Sequence, residues 1–336
     1  MVRFAVLGYG FIGAVHAATL KKIPAAQLVG VVEQDRSKWQ TVTEGNLRIE
    51  GGDSPLDVPF FERVEDLLAA TPVDALSVCL PTFLHRQYAV EALSAGLHVV
   101  CEKPMALTLD DCDAMIDAAR QNNRSLLIAQ CIRFWPEYEI LQNMHRSGEL
   151  GALVSLRMHR LSGMPSWGGP QPWFFSEHKS GGCLFDLHVH DLDFIQHLLG
   201  RPSAVFSQGT SLAGGVNAAV FTQYDFGDLI CCAEGSWRCF TGFRMSYSAV
   251  FEKGQLEYDS TASPTLRLWR PGAAQPETVP VPSGDGYERQ YRYFVDCLEN
   301  GRQPTRMTPA SARRSIEIAL AEKRSLCEKR LVRLDA

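Results

Sequence analysis

The stretch that most restricts what this chain can fold into is its beginning. Val2-Arg3-Phe4-Ala5-Val6-Leu7 is a short apolar run of strand composition. It ends in Gly8-Tyr9-Gly10-Phe11-Ile12-Gly13, and Ala14–Lys21 then reads as a helix. Strand, glycine turn and helix in that order are the context in which G-x-G-x-x-G acquires meaning. Gly8 permits the tight turn, Gly10 lets the backbone approach a pyrophosphate, and Gly13 lets the helix pack closely on the strand. The helix start, at Phe11 and Ile12, faces the phosphates with free N–H groups. Gln27-Leu28-Val29-Gly30-Val31-Val32-Glu33 is a second apolar strand that ends in a carboxylate, twenty residues beyond Gly13. A carboxylate there accepts hydrogen bonds from both ribose hydroxyls of an adenosine and repels a 2′-phosphate. Glycines in an ordinary strand–helix turn without a ligand are the competing reading, which this context disfavours. The expected cofactor is NAD, with NADP the less favoured alternative.

The alternation continues to about residue 130. Strands are expected at Val58–Phe61, Asp74–Leu80, Leu97–Cys101 and Ser125–Gln130, with helices at Val64–Ala70, Leu84–Ala95 and Leu109–Asn122. Repeated units of this length build a doubly wound parallel sheet, a Rossmann-type α/β domain. Gly45–Pro55, rich in Gly and Asp, reads as a surface loop. Beyond residue 125 the style changes. After a helix at Pro136–Ser147, strand-like runs follow one another: Leu153–Arg160, Ala204–Thr210, Val216–Phe226, Leu229–Phe240, Phe243–Phe251, Gln255–Tyr258, Leu266–Trp269 and Thr278–Val281. One helical segment, Gly182–Leu199, is inserted among them, and helices at Tyr287–Glu299 and Pro309–Cys327 close the chain. The expected division is 1–125 for the dinucleotide domain and 126–336 for an α+β domain with a large, mainly antiparallel open sheet. At 336 residues two domains are the natural expectation. In Val216–Phe226 both alternating sets are apolar, so both faces of this sheet are expected to be covered, one of them by another subunit in a homodimer or homotetramer.

Composition excludes several classes. A net charge of −5 gives no reason to bind nucleic acid. No apolar run reaches the roughly 18 residues of a membrane span, and the first residues enter a strand with no leader pattern. The ten cysteines fall mostly in apolar strands without a C-x-x-C pair and read as reduced thiols of a cytoplasmic protein.

Ligands of open parallel sheets bind outside the carboxyl ends of the strands. Three strands end in unusual residues: Pro81-Thr82-Phe83-Leu84-His85, Glu102-Lys103-Pro104 and Arg133-Phe134. Pro81, Thr82, His85, Glu102 and Lys103 are expected near a bound dinucleotide. Lys103, in a turn fixed by proline, can aim an ammonium at a substrate oxygen; a surface lysine is the competing reading. The densest polar cluster is Gly181-Gly182-Cys183-Leu184-Phe185-Asp186-Leu187-His188-Val189-His190-Asp191-Leu192-Asp193. On a helix Asp186, His190 and Asp193 share one face, while His188 points roughly 160° away from Asp186. His190 suits a general base, and Asp186 can orient it or hold a neighbouring hydroxyl. His188, Asp191 and Asp193 read as structural. The spacing matches no zinc motif, so no metal is expected. Arg133, Trp167 and Trp173 of the Gly- and Pro-rich loop Ser162–Ser180, and Tyr287 are weaker substrate candidates, with subunit packing the alternative for the aromatics.

With these residues in hand the chain resembles the Gfo/Idh/MocA oxidoreductases, the relatives of glucose–fructose oxidoreductase and inositol dehydrogenase. The resemblance covers nearly the whole length. It rests on G-Y-G-F-I-G followed by His16, P-T-F-L-H at Pro81–His85, E-K-P at Glu102–Pro104, G-G-C-L-F-D-L-H-V-H-D-L-D at Gly181–Asp193, and Phe251–Leu256. It implies a Rossmann domain, a second domain whose open sheet serves oligomerisation, and a nicotinamide cofactor. By position Lys103, Asp186 and His190 match the family's catalytic lysine, aspartate and histidine, whereas His188 stands where the common pattern has glycine. The implied activity is hydride transfer between a sugar, sugar-derivative or cyclitol hydroxyl and NAD. A glycoside hydrolase using tightly bound NAD by transient oxidation, and a non-catalytic dinucleotide-binding regulator, are the two alternatives; the three residues together argue against the latter.

Overall fold

The computed structural model describes residues 1–39, 56–166 and 173–334. The loop expected at Gly45–Pro55 and the candidate Trp167 lie outside them. The apolar opening run forms β1 (Val2–Leu7), which is buried along nearly its whole length, and the glycine turn feeds α1 (Phe11–Lys21). Then come β2 (Ala26–Val32), β3 (Phe60–Phe61), α2 (Val64–Ala70), β4 (Ala75–Val78), α3 (His85–Ser94), β5 (His98–Cys101), α4 (Leu109–Gln121) and β6 (Leu126–Ile128). Thr108 caps α4 by accepting the Asp111 N–H, which satisfies one of the free donors at the helix start. The six strands pair in parallel in the order β3-β2-β1-β4-β5-β6. The sheet therefore extends through residue 128, past the division expected at residue 125. Strand order reverses between β1 and β4, so a crevice opens outside their carboxyl ends.

The rest of the chain forms α5 (Pro136–Ser147), β7 (Leu153–Leu161), α6 (Glu177–Ser180), a wide π-helical turn (Leu184–His188), α7 (Val189–Leu199), β8 (Ala204–Ser211), β9 (Asn217–Phe226) and β10 (Leu229–Ser236). After these come β11 (Arg244–Phe251), β12 (Gly254–Asp259), β13 (Leu266–Trp269), β14 (Glu277–Thr278), α8 (Gly286–Glu299), α9 (Pro309–Glu328) and β15 (Val332–Arg333). The nine strands are ordered β14-β13-β12-β11-β7-β10-β9-β8-β15. The sheet is mainly antiparallel, as expected, but β7 and β10 pair in parallel at its centre. Strand β10 stops at Ser236 rather than Phe240, because Trp237 turns into the core while Phe240 stands fully exposed.

The inner face of the sheet is apolar, and α5, α7 and α9 cover it. On β9, Ala218, Val220, Thr222 and Tyr224 are buried, whereas Phe221, Gln223 and Asp225 are exposed. This alternation is cleaner than the Val216–Val220 segment suggested. The last two helices return to the first sheet. Helix α8 packs on α1 and β1 and sets Tyr291 edge-on against Phe4, with ring centroids 5.8 Å apart. Helix α9 packs on α4 and β6, where Arg313 pairs with Asp113 at 2.9 Å.

Candidate active site

The crevice outside β1 and β4 deepens into a cavity of about 590 Å³ that reaches the inner face of the second sheet. That size suits a small molecule or part of a cofactor. At one end Gly8 has φ +89°, and a Cβ there would lie 2.7 Å from the Cys79 carbonyl oxygen. A Cβ on Gly10 would face open space, and one on Gly13 would collide with the Gly8 carbonyl oxygen. Thus Gly8 permits the turn, Gly10 leaves the cradle open, and Gly13 holds α1 against β1. The Glu33 carboxylate, at the end of β2, accepts the backbone N–H groups of Tyr9 at 2.8 Å and Asp35 at 2.9 Å. The open cradle and the anchored carboxylate fit a dinucleotide with an unmodified ribose. Gly13→Val should push α1 off the strand and weaken NAD binding by at least about a hundredfold, read by NADH fluorescence titration. Unchanged affinity would mean that the helix can yield without disturbing the cradle.

At the middle of the cavity the turn after β5 presents Glu102 and Lys103. Both nitrogens of the buried His85 ring reach backbone carbonyls, that of Pro104 at 2.9 Å and that of Leu80 at 2.8 Å. His85 thereby fastens the Glu102–Pro104 turn to the loop after β4. Lys103 Nζ donates to the Asp186 carbonyl at 2.8 Å and to its Oδ1 at 3.2 Å. Asp186 lies in the wide turn before α7. The chain enters that turn through Gly182, whose φ is +69° and whose Cβ would sit 2.7 Å from the Asn217 carbonyl oxygen. Only a bare backbone passes there.

The wide turn advances the helix phase more slowly than an α-helix. Asp186 and His190 both line the cavity. Asp193, expected on their face, instead points behind it and takes Arg133 Nε and Nη2 at 2.7 Å each. His188 points away, as the spacing predicted, and reaches Tyr224 Oη at 3.0 Å. Asp186 bonds Lys103, so it orients the lysine, and no bond joins it to His190. Burial, with the Lys103 and Arg160 cations nearby, holds His190 well below the usual histidine pKa, which keeps the imidazole neutral.

Gly8, Gly10, Phe11, Ile12, Glu33, Pro81, Thr82, Glu102, Lys103, Trp173, Asp186, His190 and Tyr287 all line this one cavity. Gly13 and His85 stand behind it. Arg133 is a correction: expected at the substrate, it is buried in the Asp193 ion pair and contributes nothing to the lining. The arginine that does line the cavity is Arg160 of β7, held by Asp191 at 2.7 Å. Its signal was present in Leu153–Leu161, where Arg160 shares the alternating set of Leu156 and Met158. Trp135, Phe243 and Met245 line the same end. They come from two separate segments with no local motif. Among the described residues no group of three or more His, Cys, Asp or Glu side chains is arranged to hold a metal ion. No helix there is long and apolar enough to cross a membrane.

Residues 2–130 match the model of an oxidoreductase family with an NAD-binding Rossmann fold, and residues 138–257 match the GFO/IDH/MocA C-terminal domain. Myo-inositol 2-dehydrogenase of Thermotoga maritima is 26% identical over 99% of both chains. Inositol 2-dehydrogenase of Corynebacterium glutamicum is 26% identical over 89% of this chain and 86% of its own. Among solved structures, aldose–aldose oxidoreductase from Caulobacter crescentus superposes with a TM-score of 0.82 at 24% identity, covering 99% of both chains, which extends the likeness in fold to the whole chain.

Proposed function

Because the chain belongs to the Gfo/Idh/MocA oxidoreductase family and carries its NAD-binding Rossmann domain, we propose that it oxidises a hydroxyl of a sugar, sugar derivative or cyclitol. The observation that carries this reading is the convergence of the Lys103–Asp186 pair and a neutral His190 in the cavity that begins at the glycine turn. NAD, held by Gly8, Gly10, Phe11, Ile12, Glu33, Pro81 and Thr82, supplies the hydride acceptor when bound. His190 takes the hydroxyl proton, which its neutral imidazole can accept. The Lys103 ammonium, fixed by Asp186, stabilises negative charge growing on the same oxygen. Trp173, Tyr287 and Arg160 hold the rest of the polyol, the aromatics through C–H surfaces and the guanidinium through hydroxyl oxygens. The names of the two inositol dehydrogenase relatives support a cyclitol or a sugar of similar size.

The outer face of the second sheet carries Ile230 and Phe221, exposed on neighbouring strands, which supports association through this face as a homodimer or homotetramer. Ten free cysteines, nine of them at least half-buried, suit a cytoplasmic protein.

The test is to denature the purified protein, identify any released nucleotide, and then screen inositols and aldoses with NAD by NADH absorbance. NADH formation with one of them is the expected result. Turnover of glycosides without NADH formation would replace this reading with NAD-assisted hydrolysis.

A further inference from the structure

On a wall of the cavity that the hydroxyl chemistry does not use, Cys79, His16 and Glu102 are in line. Cys79 follows β4 and lines the cavity, and its Sγ is 3.1 Å from His16 Nδ1. His16, on α1, is wholly buried, and its Nε2 is 3.0 Å from Glu102 Oε1. The other carboxylate oxygen accepts the Lys103 N–H at 3.0 Å, which fixes the carboxylate. Thiol, ring and carboxylate stand in the order found around activated nucleophiles, with the His16 ring beside the thiol and a carboxylate at the ring's far nitrogen.

We propose that Cys79, its sulfur steadied by the His16 ring, is a reactive thiol that gives its proton to solvent as it reacts, and a modification site for peroxides and small electrophiles that NAD shields. Burial alone would lower the His16 pKa, but Cys79 and Glu102 beside it raise it to about 10, so the imidazolium persists at neutral pH. The hydroxyls of Ser77 and Tyr291 lie 2.8 and 2.9 Å from the same Nδ1 and complete the polar shell. The other titratable groups facing the pair are Tyr287 of α8, Cys101 of β5 and, beyond Glu102, Lys103. Burial pushes the thiols of Cys101, Cys112, Cys131 and Cys183 up, which makes them poor nucleophiles.

With a peroxide, the sulfur attacks one oxygen, the O–O bond breaks and hydroxide or alkoxide leaves. The sulfur is oxidised to sulfenic acid while the peroxide is reduced. With iodoacetamide, a sulfur–carbon bond forms and iodide leaves. Either product adds atoms beside the Gly8 turn, where the Cys79 backbone already abuts the glycine, and so excludes the dinucleotide.

The test treats the full-length protein, nucleotide-free and NAD-loaded, with iodoacetamide near neutral pH and maps the labelled peptides. Cys79 should be labelled in the nucleotide-free protein. NAD should slow that labelling at least about tenfold, and His16→Gln should slow it by about the same factor while exposed Cys327 reacts at its parent rate. No labelling of Cys79, labelling that NAD leaves unchanged, or an undiminished rate in His16→Gln would each overturn the proposal. Should His16→Gln fail to fold, hydrogen peroxide with dimedone trapping on the wild-type protein decides: a sulfenic acid at Cys79 that NAD suppresses supports the site, and its absence overturns it.

Discussion

His190→Ala is expected to lower polyol turnover by about a thousandfold while NAD affinity stays at the parent value. The imidazole lines the same cavity as the Lys103–Asp186 pair and is uncharged there. Its removal leaves the lysine to stabilise an oxygen whose proton has nowhere to go. The Michaelis constant should move far less than turnover, because Arg160 and the aromatic wall still hold the ring. A companion expectation concerns pH. Burial and two nearby cations hold the His190 pKa well below its ordinary 6.5. The base therefore remains neutral as pH falls through the usual histidine range, and kcat/KM for oxidation keeps its value there. It is lost only at more acid pH, where His190 takes a proton. A steady-state pH profile with an acid limb at the ordinary histidine value, or a His190→Ala protein that no longer binds NADH, would make His190 a structural residue.

Asp193→Ala should cost about 3–5 kcal/mol of stability, a large part of what holds a protein of this size together. Arg133 and Asp193 are almost wholly buried, and the guanidinium fork meets the carboxylate with two bonds of 2.7 Å. Ser315 Oγ of α9 donates to the same carboxylate at 2.7 Å. The pair thus ties the segment after β6 to α7 and α9. Deleting the carboxylate strands a positive charge without water, and that desolvated charge is the main cost rather than the lost attraction. Urea unfolding followed by intrinsic fluorescence measures the change, and a midpoint equal to that of the parent would refute it. Replacing Arg133 and Asp193 together with Met and Leu should recover much of the loss, since no lone charge remains.

The first sheet was legible because each of its strands is a short apolar run punctuated by glycine, proline or charge, and parallel order follows from the helices between them. The cofactor cradle was legible for the same reason: Gly8, Gly10, Gly13 and Glu33 act locally, within one strand–turn–helix–strand unit. Lys103 stood out as a cation in a proline-fixed turn at a strand end, and Asp186 and His190 as members of the densest polar cluster. What escaped the sequence was long-range. Arg133 and Arg160 are both arginines at strand ends, and only the position of Asp193 against Asp191 decides which of them reaches the cavity. That choice depends on the wide turn at Leu184–His188, which shifts the phase of every later side chain on α7. No residue in Leu184–His188 forbids an ordinary α-helix, so straight helical spacing misassigned Asp193. The parallel pairing of β7 with β10 was hidden likewise, because some seventy residues separate the two strands.

The return of the last two helices to the first sheet has a consequence for how the protein is made. Tyr291 bonds Ser77 at 2.7 Å across 214 residues of chain, and with Phe294 it covers Phe4. A ribosome that has delivered the glycine turn and all six parallel strands has therefore delivered a sheet with part of its apolar surface bare. That surface stays bare until the nine-stranded sheet has almost entirely emerged. The nucleotide-binding half is synthesised before the second sheet and sealed after it, so a nascent chain stalled before Gly286 still exposes the apolar surface around Phe4 that α8 covers.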